Sequence, residues 1–97
     1  MKIVINACHG GFSLSEEAQK LFCQYSMIEW KDWQEDWSYY DIERNNQHLV
    51  RVVEELGDNA NGRFAELKVV DIPDEVEWQI DEYDGTEWVA EKHKTWR

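Results

Sequence analysis

The chain has 97 residues, 42% hydrophobic, 13% aromatic and 32% charged, which fits one small globular domain spanning 1–97. Ten Lys and Arg against 21 Asp and Glu set the formal net charge at −11. Like-charge repulsion therefore disfavours direct binding to nucleic acid or to an anionic membrane, and a basic protein or a cation is the complementary partner.

The acid is unevenly distributed. Residues 1–28 are neutral, 29–58 carry nine acidic residues against three basic, and 66–97 carry ten against four. No apolar stretch approaches the ~20 residues of a membrane-spanning helix. The run Met1 to Ile5 is too short for the core of a signal peptide. Cys8 and Cys23 are accordingly expected as free thiols in the cytoplasm.

In chain order, the β-branched run Lys2-Ile3-Val4-Ile5-Asn6-Ala7 predicts a buried strand, ended by Gly10-Gly11. Ser13, three residues before Glu16, matches a capping box, and Phe12 stands where a hydrophobic staple would. Leu14, Ala18, Leu21, Phe22 and Tyr25 then recur at helical spacing, so a helix is expected over 14–25. Residues 27–40 contain no Pro or Gly and read as loop, short helix or both. Trp30, Trp33, Trp37 and Tyr40 fall there at intervals of three and four. Residues 39–43 read as a short strand. Asn45 or Asn46 caps a second helix carrying Leu49, Val50, Val52, Val53 and Leu56, stopped by Gly57. Asn61-Gly62 marks a turn, and 67–72 before Pro73 a strand.

Alternation of Val76, Trp78 and Ile80 with acids and Gln79, then Asp84-Gly85, then Trp88 and Ala90 between Glu87 and Glu91 predicts a β-hairpin. A two-residue Asp-Gly loop pairs Trp88 with Asp81 and Trp78 with Glu91, mixing acid into the apolar face. A three-residue loop, Tyr83-Asp84-Gly85, keeps Ile80 opposite Trp88 and Trp78 opposite Ala90, and is the expected register. It sets Asp81 against Glu87 and Glu77 against Glu91 on the other face, a like-charge row that contributes nothing to local folding.

The strings Lys2-Ile3-Val4-Ile5-Asn6, Gly10-Gly11-Phe12-Ser13-Leu14-Ser15, Tyr40-Asp41-Ile42-Glu43-Arg44, Glu77-Trp78-Gln79-Ile80 and Glu82-Tyr83-Asp84-Gly85, through Glu87-Trp88-Val89-Ala90-Glu91, carry a family resemblance. Together they resemble a group of small proteins of tailed bacteriophages and prophages that has no established activity. The likeness spans most of the chain outside 27–38. It implies a phage or prophage origin and a setting in the bacterial host cytoplasm, and carries over no catalytic residue.

Gly10, Gly11, Phe12 and Ser13 lie between a strand and a helix start, where backbone amides and the helix dipole attract anions. They are the candidate anion-binding residues, set against the plainer reading of a tight turn, since the Walker and dinucleotide fingerprints are absent. His9, His48, His93, Cys8 and Cys23 lack the short spacings that pre-place metal ligands, so no metal site and no cofactor are expected. Asp58 to Gly62 lacks the bidentate Glu of a calcium loop and reads as a turn. The adjacent carboxylates follow from composition and no general acid or base is assigned among them. Trp30, Trp33 and Trp37, with Tyr39 and Tyr40, are core if they face inward and interface anchors if two or more face out.

The expected fold is α+β, with two helices packed on one face of a small, mostly antiparallel sheet of four to five strands and a C-terminal hairpin. The expected function is non-enzymatic binding of a host protein, with Glu77, Asp81, Glu87 and Glu91 presented where phosphates of a nucleic acid would lie and Trp30, Trp33 or Trp37 as anchors. The alternatives are a small-ligand or nucleotide-binding module built on the glycine turn and a structural accessory protein whose acid only solubilises it.

Overall fold

Lys2–Asn6 forms strand β1, buried from Ile3 onward, and in the computed structural model, which describes residues 1–92, it pairs antiparallel with β2 (Leu67–Asp71). The register sets Lys2 opposite Asp71 and Asn6 opposite Leu67. Val4 faces the helical core, and Ile3 and Ile5 on the opposite face are buried as well. Covering both faces is what a continuous β-branched run encodes.

Helix α1 (Glu16–Ser26) begins at Ser15, whose hydroxyl accepts from the Ala18 amide at 3.0 Å. The cap is Ser15 rather than Ser13. Long-range pairing decides between them: Leu14 bridges to Asn61, the Gly62 amide donates to the Ser13 carbonyl, and the Ser15 amide donates to the Ala60 carbonyl. α1 ends with Met27 at φ 59°, Met27 and Ile28 amides bonding back to the carbonyls of Gln24 and Cys23, the pattern of a Schellman cap.

A second helix, α2 (Trp30–Asp36), occupies the Trp-rich segment, so the described residues hold three α-helices rather than two. Residues Tyr39–Asp41 form a 3-10 turn capped by Ser38, not a strand. Helix α3 (Gln47–Leu56) is capped by Asn46, whose side-chain oxygen accepts from the His48 and Leu49 amides, and is stopped at Gly57 with φ 55°. Leu49, Val50, Val52 and Val53 are buried and join Phe12, Leu14, Ala18, Phe22, Trp33 and Ile42 in one apolar core.

Strands β3 (Trp78–Tyr83) and β4 (Thr86–Glu91) form the hairpin, but the turn is the two-residue Asp84-Gly85. Asp84 at φ 51° and Gly85 at φ 90° give the double left-handed turn whose twist matches the flanking strands. Trp88 therefore stands opposite Asp81, Trp78 opposite Glu91 and Glu82 opposite Glu87, which corrects the expected three-residue register. That expectation assumed that the hairpin buries its apolar row alone. In fact Glu87 goes inside and Trp88, 45% exposed, goes out.

The hairpin lies alongside β1 without joining its sheet, so the described strands make two two-stranded sheets rather than one of four or five. The edge of β1 away from β2 is already occupied. The Val4 amide donates to the Arg44 carbonyl at 2.8 Å, and the Asn6 amide donates to the Glu87 carboxylate at 2.8 Å. A side chain has taken the place of a strand ladder.

Candidate functional site

The junction of hairpin and body is built from three polar side chains. Arg44 donates both terminal nitrogens to the two oxygens of Glu87, at 2.6 and 2.8 Å, with the side chains only 18% and 10% exposed. The Arg44 guanidinium lies 3.6 Å from the centre of the Phe12 ring and also donates to the Val4 carbonyl. Asn6 is fully buried. Its amide nitrogen donates to the Cys8 and Gly85 carbonyls and its oxygen accepts from the Glu66 amide, so its side chain leaves no unmet hydrogen bond of consequence. Gly85 must be glycine twice over, because a Cβ there would also sit 2.3 Å from the His9 carbonyl oxygen.

These contacts redistribute the acidic residues expected to form one binding row. Glu87 is spent on Arg44 and the Asn6 amide. Direct pairing and alternation put Glu77 and Asp81 on the hairpin face that carries Tyr83 and Trp88, whereas Glu91 shares the Glu87 face. The like-charge row of Asp81 against Glu87 and Glu77 against Glu91 does not exist; the opposed acids are Glu82 and Glu87, and Arg44 relieves them. Tyr83 is 73% exposed, and the Asp81 carboxylate accepts a hydrogen bond from Gln79.

The Trp cluster divides similarly. Trp33 is 2% exposed, packs its ring against Phe22 at 5.5 Å and donates its indole N–H to the Gln19 side chain at 2.8 Å, so it is core and no anchor. Trp30 is half-buried with the Lys20 ammonium over its ring, and Trp37 is 52% exposed and parallel to Trp33. Tyr39 packs on Phe12 and Tyr40; burial, then the Tyr40 hydroxyl beside it, pushes its phenol above the usual range.

Gly10 to Ser13 do not form an amide cradle at a helix N-terminus. α1 starts three residues after Ser13 with its Ala18 amide already taken by Ser15, the Phe12 ring is buried in the core, and the side-chain direction at Gly10 points into the Phe64 carbonyl. The geometric basis of the glycine-turn ligand reading is lost. Cys8 donates to the Phe64 carbonyl, and burial pushes the Cys23 thiol above its ordinary value; both thiols are free. His93 lies outside the described residues. Among the described residues no three His, Cys, Asp or Glu side chains converge to hold a metal ion, and no helix is long and apolar enough to cross a membrane.

Where α1 and α2 end and α3 starts, the elements leave a groove of about 320 Å³. Phe22, Ile28, Trp33 and Ile42 supply its apolar wall, Trp37 its exposed edge, and Ser26, Asp41, Glu43, Asn46 and His48 its polar positions. The Ser26 hydroxyl oxygen is buried and has no hydrogen-bond partner among the described residues. Two carboxylates line the groove and no Lys or Arg does. The sequence singled out Trp33 and Trp37 as anchors, His48 as a weighed metal ligand, Phe22 as a helix position and Asn46 as a cap candidate, but nothing joined these residues into one site, because they come from segments up to 26 residues apart and share no spacing. Compared with known protein families, curated proteins and solved structures, the chain matches none.

Proposed function

We propose that this chain is a non-enzymatic acidic protein that binds a basic surface of another protein, and that the hairpin is its binding arm. The observation that carries this is the outer face of β3 and β4: Tyr83 and Trp88 are exposed on the side that bears Asp81, on an element that contributes no residue to the buried core. Exposed aromatics beside carboxylates are the composition of an interface that anchors by ring burial and selects by charge. Glu77 continues that face; Glu87 is excluded from it and belongs to the scaffold. The −11 charge steers a cationic partner towards the molecule, and the resemblance to phage proteins makes a host protein that normally contacts nucleic acid the partner class to seek.

The test is capture from a bacterial lysate by the tagged chain, eluted with rising salt, beside a variant carrying Glu77→Lys, Asp81→Lys and Trp88→Ala. All three positions are outside the core, so the variant keeps the fold. A nucleic-acid-binding protein held at low salt by the parent, released at high salt and not held by the variant supports the proposal. Equal capture by both proteins, or none by either, refutes it.

A further inference from the structure

We infer that the groove between α1, α2 and α3 is a binding site for a small organic cation with an apolar body, distinct from the hairpin arm. Its size of about 320 Å³ lies at the lower end of ordinary ligand pockets, and its wall of Phe22, Ile28, Trp33 and Ile42 suits an aromatic or alkyl group rather than a sugar or phosphate. The sign of the ligand is set by the lining. Asp41 and Glu43 are the carboxylates of the groove, and neither has an ion-pair partner among the described residues, so their charge favours a cation over an anion. The half-exposed Trp37 ring at the mouth offers a π-face to the same cation.

The Ser26 hydroxyl is the second, independent pointer. A buried hydroxyl without a partner is destabilising, and here it lies at the wall of the groove. Its oxygen is covered, so a rotation about χ1 is what brings it to a polar atom of an occupant. Asn46 adds a second hydrogen-bonding group: its side-chain oxygen is committed to the cap of α3, while its NH2 remains available to an acceptor on the ligand.

Titration of the 15N-labelled chain with phenethylamine, and separately with phenylacetate, which has the same ring and the opposite charge, tests this. Phenethylamine is expected to shift the amides of Ser26, Ile28, Asp41, Glu43 and His48 and the indole N–H signals of Trp33 and Trp37, with phenylacetate binding at least tenfold more weakly. The double variant Asp41→Asn, Glu43→Gln, whose sites are exposed and outside the core, should lose at least tenfold in phenethylamine affinity. Ser26→Ala should lose about threefold. The inference is overturned if the two probes bind equally, if the double variant binds like the parent, or if neither probe shifts these signals at 10 mM. It is also overturned if a blocked Lys- or Arg-containing peptide shifts them while phenethylamine does not, since the groove would then be an extension of the protein-binding surface. Loss of lysate capture by the hairpin variant leaves these shifts unchanged, so the two proposals fail separately.

Discussion

Removing the Glu87 carboxylate by Glu87→Ala strips two partners at once. The Arg44 guanidinium, 18% exposed, loses both charge-assisted hydrogen bonds, and the Asn6 amide loses its acceptor on the edge of β1. Breaking one side of a buried ion pair costs about 3–5 kcal/mol, mostly because the remaining charge is left desolvated. An unmet buried amide adds about 1–3 kcal/mol, although the two losses share one carboxylate and do not add in full. The total loss should be about 4 kcal/mol by urea unfolding, on the order of 20 °C in Tm for a chain of this size. Arg44→Met should cost a similar amount, since it leaves Glu87 buried and unpaired. The double variant Arg44→Met, Glu87→Leu should be clearly more stable than either single variant, because two apolar groups leave no orphaned charge, though the Asn6 amide stays unmet. Amide exchange in β3 and β4 should accelerate in the single variants before it does in α3, since the hairpin is held by this clamp and adds nothing to the buried core. Single-variant losses below 1 kcal/mol that add in the double variant would refute the argument.

Met27→Gly should stabilise the chain by about 1 kcal/mol, since Met27 sits at φ 59° with its side chain 92% exposed and packs on nothing it would lose; thermal unfolding checks it. Ser26→Ala should raise stability by about 1 kcal/mol in the absence of ligand, because it removes a buried hydroxyl with no partner, and denaturant titration should show the gain. The hydrogen bond from Tyr25, then that from Arg51, holds the Glu55 carboxyl below its usual range. A group depressed in the folded state contributes stability above its unfolded pKa, of about 4, and loses it as pH falls through the lower folded value. Glu55→Gln should therefore flatten the acid limb of a stability-versus-pH curve, and should also move the raised Tyr25 titration back towards the ordinary phenol range in NMR.

Much of the local structure was legible because it is encoded by neighbours in sequence. The β-branched run of β1, the helical spacing of α3 with a cap at Asn45 or Asn46 and a stop at Gly57, and the existence of the C-terminal hairpin each depend on contacts within a few residues, whereas the hairpin turn, expected with three residues, closes on Asp84-Gly85. α2 was open to several readings, since Trp30, Trp33 and Trp37 keep helical spacing in a segment too acidic and too short to form a helix without the core behind it. The cap of α1 lies two residues beyond the expected Ser13, which local sequence favours through Glu16 three residues on, because Asn61 and Gly62 arrive from across the chain to pair with 13–14 and Ala60 with Ser15.

The sequence by itself determined the α+β class, the C-terminal hairpin and the net charge of −11. Tertiary structure alone decided which acids and which rings are available. Arg44 reaches across to Glu87 over 43 residues, and that ion pair inverts the hairpin, so that a carboxylate goes in and Trp88 comes out. Binary patterning reads every acid as solvent-facing, and so places Glu87 outside; a buried charge with its partner is the case it cannot represent. The groove is likewise a property of three helix ends meeting, and nothing in the spacing of Ser26, Asp41, Glu43 and His48 draws them together.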